Sequence, residues 1–242
     1  MQTIVVAALK EWNISNYFKL KKKYENRYRF ELITRKEQLR IEALKNLNPR
    51  YIFFPHWSWI IPQEIFSSFE CILFHMTDLP YGRGGSPLQN LILNEVYETK
   101  ITALRVNGEL DSGDIYLKES LDISLGSAEE IYMKASHIIF ERMIPKIIEN
   151  QMIPIKQRGE IVKFQRRKPQ ESDLTELPTK SLRKVYDFIR MLDAKGYPKA
   201  YLKLGDLKIE FSEVHLKSDK LTGRFEVKKD EQKDIDRSGS SG

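Results

Sequence analysis

One pattern runs through the first ninety residues: a short, uninterrupted apolar segment followed by a helical stretch, again and again, with little chain between them. Thr3 to Ala8 (TIVVAA) reads as a buried strand, being β-branched and continuous, and Ser15 to Tyr24 as a helix with Tyr17, Phe18 and Leu20 on its apolar side. Tyr28 to Ile33 reads as a second strand, Lys36 to Leu47 as a helix stopping before Pro49, and Tyr51 to Phe54 as a third strand. A helix follows Pro62, where proline suits a first turn, and Cys71 to His75 is the fourth strand. Strands buried on both faces and joined through helices predict a mostly parallel, Rossmann-like α/β sheet covered on either side.

Beyond residue 90 the rhythm changes. Lys100 to Val106 and Asp114 to Lys118 read as strands bracketing the loop Asn107-Gly108-Glu109-Leu110-Asp111-Ser112-Gly113. Ser127 and Glu130 form a capping box opening a long helix to about Asn150, with Ile131, Ala135, Ile138 and Ile139 inward and Pro145 set to kink it. The first expected domain spans 1–155, and a polar, proline-containing crossing segment spans 156–180. A small helix-plus-hairpin module covers 181–228, with a helix from Ser181 to Ala194 and strands Ala200 to Leu204 and Leu207 to Phe211 turning at Gly205-Asp206. A further strand is expected from Leu221 to Val227, and residues 229–242 read as a disordered tail or an expression scar.

Composition enters by exclusion. The 242 residues carry 40 basic and 34 acidic side chains, a net +6, enough for an anionic ligand but far from the dense basic stripe of a nucleic-acid binder. Cys71 is the one cysteine, which excludes an intramolecular disulfide and any cysteine-based zinc site, and no metal is expected. No apolar run has the length of a spanning helix and no signal-peptide pattern opens the chain, so the expected location is cytoplasmic, away from membrane. The motifs of P-loop NTPases, dinucleotide enzymes, zinc proteases and nucleophile-elbow hydrolases are all missing.

Chemistry concentrates in two loops. His75 ends the fourth strand, where open α/β sheets bind ligands, and leads into Met76-Thr77-Asp78-Leu79-Pro80-Tyr81-Gly82-Arg83-Gly84-Gly85-Ser86-Pro87. Its glycines let backbone approach a ligand, and its N–H groups face an anion near a helix start. Leu110-Asp111-Ser112-Gly113-Asp114 offers an aspartate that could orient a histidine. Each segment also reads as plain structure, a glycine turn beside a core histidine in one case and an Asx-turn in the other.

The pattern H-x-[ST]-x-L-P-x-x-R-G-x-x-P followed by L-D-S-G-D-I resembles that of the 10-formyltetrahydrofolate-dependent formyltransferases over residues 1–205. Trp57-Ser58-Trp59-Ile60-Ile61-Pro62, Arg166-Arg167-Lys168-Pro169 and Tyr197-Pro198-Lys199-Ala200-Tyr201 extend the likeness. The resemblance implies the formyltransferase fold, His75 and Asp111 as catalytic pair, and backbone at Trp59, Ile60, Ile61, Asn107, Gly108 and Glu109 clamping the pterin of 10-formyltetrahydrofolate. It also implies substrate contacts from Thr77, Arg83, Gly84, Gly85, Ser86 and Asn90. One family residue is missing: an asparagine two places before the histidine is Leu73 here, with His56, Ser58, Thr77 and Asn90 as candidate replacements for its donor.

The short C-terminal module resembles the extension of enzymes acting on nucleotide-linked amino sugars rather than a tRNA-gripping barrel. The expected substrate is accordingly a UDP- or dTDP-linked 4-amino-4,6-dideoxy sugar of surface or flagellar glycans, without nucleic acid or membrane partners and with a homodimer admitted. Another amine such as methionyl-tRNA, or an inactive relative, is the alternative. Arg83, Lys10 and Arg166 to Lys168 are candidate diphosphate contacts, and Trp12, Tyr81 and Tyr197 candidate base platforms.

Overall fold

A computed structural model describes residues 1–178 and 181–230; the last residues of the expected crossing segment, 179–180, and most of the expected tail, 231–242, lie outside the described residues. The chain divides into two compact units that interleave in sequence, one of Met1–Pro87, Tyr97–Ile123 and Tyr132–Gln165, the other of Leu88–Val96, Ser124–Ile131 and the chain from Arg166 on.

The first unit is built on a six-stranded sheet. Its strands are β1 (Gln2–Ala7), β2 (Tyr28–Ile33), β3 (Pro49–Phe54) and β4 (Cys71–His75), then, after a two-residue strand β5 (Arg83–Gly84), β6 (Glu98–Arg105) and β7 (Ile115–Asp122). The order is β2-β1-β3-β4-β6-β7; the first four are parallel, and β6 and β7 run antiparallel to their neighbours. This is the mostly parallel α/β sheet that the strand–helix alternation predicts. A loop with no crossover helix joins β6 to β7, which suits their antiparallel pairing.

Both faces of the central strands are dry. Tyr51, Ile52, Phe53 and Phe54 are all buried, although successive side chains point to opposite faces. On one face Val5, Ala7, Ile52, Phe54 and Cys71 pack with Leu44 of α2 (Ile41–Leu47) and Ile65 of α3 (Gln63–Ser68). Helix α1 (Glu11–Tyr24) buries Tyr17 and Leu20, and its Asn16 donates to Ser136 Oγ at 2.9 Å. Burial and the charge of Glu70 push the Cys71 thiol up to about 12, so it is an inert core thiol.

Two expected helices are broken. Lys36–Leu47 forms a 3-10 turn, Lys36–Gln38, and then α2. Gln38 Oε1 accepts from the backbone N–H groups of Thr34 and Arg35 at 2.9 and 3.0 Å, closing the turn on itself, and Arg40 is extended. The capping box does open α5 (Ala128–Ile138), with Ser127 N–H on Glu130 at 2.8 Å and Glu130 N–H on Ser127 Oγ at 3.2 Å. A π-helical turn, Ile139–Met143, then precedes α6 (Ile144–Asn150), shifting the hydrogen-bond register where Pro145 can offer no N–H.

The second unit holds α4 (Pro87–Leu93) from Leu88 on, and α7 (Leu182–Arg190). After the two-residue strand β8 (Lys163–Phe164) of the first unit, it also holds the antiparallel sheet β9 (Ala200–Leu204), β10 (Leu207–Leu216) and β11 (Leu221–Lys229). Gly205 takes φ +59, which a primed hairpin turn asks of its first central residue. Arg190 is 1% exposed; its Nε donates to Asp187 Oδ1 at 2.6 Å and its Nη1 to Gly126 O at 3.0 Å, while Arg183 Nε holds Asp187 Oδ2 at 2.8 Å. Among the described residues no helix is long and apolar enough to cross a membrane.

Candidate active site

His75 stands at the carboxyl end of β4 and Asp111 in the turn between β6 and β7, both buried. The fold brings them together: His75 Nδ1 lies 3.6 Å from Asp111 Oδ2, an ion-pair distance just beyond a hydrogen bond. His75 Nε2 lies 2.8 Å from the carbonyl oxygen of Gly82. A carbonyl can only accept, so Nε2 carries the proton of that contact and Nδ1 is the nitrogen left facing the carboxylate. Asp111 Oδ2 also accepts the backbone N–H of Gly84 at 2.9 Å.

Close backbone approach makes this packing depend on glycine at two places. Gly84 has φ +115, and a Cβ there would stand 2.2 Å from the Phe164 carbonyl oxygen, because β5 pairs with β8. A Cβ on Gly113 would stand 1.8 Å from the carbonyl oxygen of Arg105. Asp111 itself sits at φ +52, a left-handed conformation that aspartate adopts more readily than most non-glycine residues.

The other expected site residues are distributed unevenly. Thr77 is fully buried, and its hydroxyl shares the Gly82 carbonyl with His75, donating at 3.4 Å. Arg83 gives Nε and Nη2 to Gln157 Oε1 at 3.1 and 2.8 Å. Gly85 N–H donates to Phe164 O at 3.2 Å, and Ser86 has φ +51. Asn90 belongs to the second unit, where its carbonyl accepts from Asn94 Nδ2 at 2.8 Å. On the segment before α3, Ile61 is in the core, whereas Trp59 is 40% and Ile60 93% exposed. Asn107 Oδ1 accepts from Glu109 N–H and Ser112 Oγ, both at 3.0 Å, folding exposed Gly108 and Glu109 into a turn.

Leu73 packs against Leu79, Leu104 and Ile115, so an apolar cluster occupies its position. Of the four candidate replacement donors, Thr77 is the one with a hydrogen-bond partner in common with His75. His56, at φ +53, instead meets Trp12 and Tyr132 edge-on with ring centroids 6.1 and 4.6 Å away, and Lys10 lies over the Trp12 ring. Burial, and then the Lys10 ammonium, bring the His56 imidazole down to about 4. Tyr81 is edge-on to Phe164, and Arg167, in the second unit, lies over the Phe188 ring. Nothing in sequence spacing marks Gln157, which bonds to both loops, or Phe164, whose carbonyl accepts from Gly85.

A Rossmann-like sheet with a buried histidine–aspartate pair at its carboxyl edge defines a class of ligand-handling α/β proteins, and comparison with known proteins narrows it. Residues 7–148 match the family model "Formyl transferase", and residues 169–228 match "Methionyl-tRNA formyltransferase, C-terminal domain". The chain belongs to the formyl transferase family. It is similar to the methionyl-tRNA formyltransferases of a Nitratiruptor species, 31% identical over 69% of this chain and 51% of the relative, and of Bacillus thuringiensis (strain Al Hakam), 30% identical over 70% and 55%. The chain thus spans about half the length of these curated relatives. A solved structure described as methionyl-tRNA formyltransferase from Clostridium thermocellum is 50% identical, covers 95% of this chain and 100% of its own, and superposes with a TM-score of 0.91. A sugar N-formyltransferase from a Shewanella species superposes at 0.68 with 15% identity, covering 85% of this chain and 94% of its own, a likeness of fold alone.

These findings overturn the expected amino-sugar substrate, and with it the surface-glycan role and the exclusion of nucleic acid as a partner. Module size was the wrong criterion. Residues 169–228 match the methionyl-tRNA formyltransferase C-terminal domain even though, among the described residues after 181, they form one helix and three strands.

Proposed function

We propose that this chain transfers a formyl group from 10-formyltetrahydrofolate to the α-amine of methionyl-tRNA. The observation that carries the reading is the 50% identity, over 95% of this chain, to the Clostridium thermocellum structure of that name. The match of residues 169–228 to the C-terminal domain model of the same enzymes supports it from the other end of the chain.

The residues present suit a folate. Trp57 Nε1 is buried with no hydrogen-bond partner, on the same irregular segment that leaves Trp59 and Ile60 exposed, a combination that fits a planar heterocycle bringing its own acceptors and apolar surface. Trp59 to Ile61, with the Asn107–Glu109 turn, would hold it. When bound, 10-formyltetrahydrofolate supplies a formyl carbon attached to a nitrogen able to leave.

The chain's own groups manage the protons. The attacking amine must lose a proton, and His75 Nδ1 is the ring nitrogen free to take it while Nε2–H stays on Gly82. The imidazolium so formed has a place for both of its hydrogens, Gly82 O at Nε2 and Asp111 at Nδ1. Its charge offsets the negative charge that builds on an acyl oxygen during transfer, and the proton it holds balances the one the folate nitrogen takes up as its bond to the formyl carbon breaks, which restores the neutral ring. Asp111 is itself held by Gly84 N–H, so the acidic partner is fixed before substrate arrives.

The test is incubation with 10-formyltetrahydrofolate and methionine-charged initiator tRNA, following formyl-methionine after deacylation. Formylation of the charged tRNA, and not of free methionine, is expected. Absence of product with folate bound would overturn the reading.

A further inference from the structure

The segment between residues 155 and 164 is anchored to both functional loops. At one end Ile155 exchanges backbone hydrogen bonds with Ile115, the first residue of β7, at 2.7 and 2.9 Å. At the other, Val162 O accepts the N–H groups of Gly82 and Arg83, both at 2.9 Å, before β8 pairs with β5. Between these anchors stands Gln157. Its Nε2 donates to the carbonyl oxygens of Asp111 and Gly113 at 2.8 and 2.9 Å, and its Oε1 accepts Nε and Nη2 of Arg83. Arg83 precedes Gly84, whose N–H holds the Asp111 carboxylate. One side-chain amide thus closes a ring of contacts: Gln157 to Asp111 carbonyl, Asp111 carboxylate to Gly84, Arg83 back to Gln157.

We propose that Gln157 is the positioning residue of this site. Its amide keeps Asp111 in the left-handed conformation that aims the carboxylate at His75 Nδ1. The proposal rests on the formyl-transfer reading only for its kinetic arm. An amide is the one uncharged side chain that supplies two donors and an acceptor at once, which this place uses in full. Leucine fills similar volume and makes none of the bonds. Glutamate keeps the acceptor for Arg83 but turns an oxygen toward two carbonyls, so it releases the aspartate turn while holding the arginine loop. Asparagine is a methylene too short to reach both.

The experiment compares Gln157→Leu, Gln157→Glu and Gln157→Asn in the full chain, by thermal denaturation, ¹⁵N-histidine NMR and kinetics. The His75 ring signals are identified by their loss in His75→Ala. All three variants are expected to shift those signals in the direction that Asp111→Asn shifts them. Gln157→Leu and Gln157→Glu are expected to lose roughly 30-fold or more in kcat, with KM for both substrates within about threefold. Gln157→Asn is expected to lose less. Unchanged His75 signals in a folded Gln157→Leu variant would overturn the proposal, as would a rise in KM at constant kcat. If the unmodified protein transfers no formyl group, the functional reading fails, and the NMR arm still decides whether Gln157 positions Asp111.

Discussion

Gly84 and Asp111, 27 residues apart in sequence, are joined by a backbone N–H donated to a side-chain carboxylate at 2.9 Å, and the accepting oxygen is the one that faces His75. The glycine loop expected to bind substrate phosphate therefore also fixes, through this N–H, the acidic member of the proposed catalytic pair. Arg83, beside it, bonds to Gln157.

Gly84→Ala should consequently damage folding and activity together. The new Cβ meets a carbonyl oxygen at 2.2 Å, and φ +115 is strained for any L side chain. A loss of about 3 kcal/mol or more is expected from backbone that must shift. Urea denaturation checks it; a midpoint within error of the parent would show that β5 and β8 are not in contact.

In the second unit, the buried pair of Asp187 and Arg190 should be stabilising only while complete. Asp187→Ala leaves the fully buried Arg190 without its carboxylate and is expected to cost about 3–5 kcal/mol, whereas Asp187→Ala with Arg190→Met should recover part of that loss. The check is a double-mutant cycle by chemical denaturation. Equal and additive losses would contradict the coupling.

His56 predicts a pH dependence. Its imidazole titrates near 4 in the folded protein, because burial and the Lys10 ammonium disfavour its charge, against 6.5 when unperturbed. Between these values the unfolded chain binds the proton and the folded chain does not. Stability from this residue is therefore whole above pH 6.5, falls as pH drops toward 4, and is gone below it. The loss is up to about 3 kcal/mol. Asparagine accepts the left-handed conformation and does not titrate. His56→Asn should accordingly lose less stability than the parent between about pH 7 and about pH 4.5, measured by urea midpoints at each pH. Parallel slopes would refute the assignment.

Legibility in the sequence followed the physics of each signal. Tyr51 to Phe54 and Cys71 to Phe74, the run before the terminal histidine of its strand, were readable because central strands are apolar without interruption. Ser127 with Glu130 was readable because a capping box is local chemistry. The break after Gln38 was not, because a side-chain amide competing for two backbone donors has no periodic trace. The meeting of His75 and Asp111 came from a resemblance of loops, and the distance between them from the fold. Gln157 stayed hidden for the reason Gln38 did. The substrate was misjudged from the size of a C-terminal module whose sequence matches the methionyl-tRNA formyltransferase C-terminal domain.

The central claim is that Asp111, acting on His75, serves formyl transfer to methionyl-tRNA. The most direct measurement is the single-turnover rate of formyl transfer to charged initiator tRNA by Asp111→Asn beside the parent protein, at saturating folate and tRNA. Asparagine keeps the shape and the acceptor for Gly84 N–H while removing the charge facing Nδ1. The account predicts a fall of about 10²–10⁴-fold with the fold intact. A rate within about threefold of the parent would contradict it.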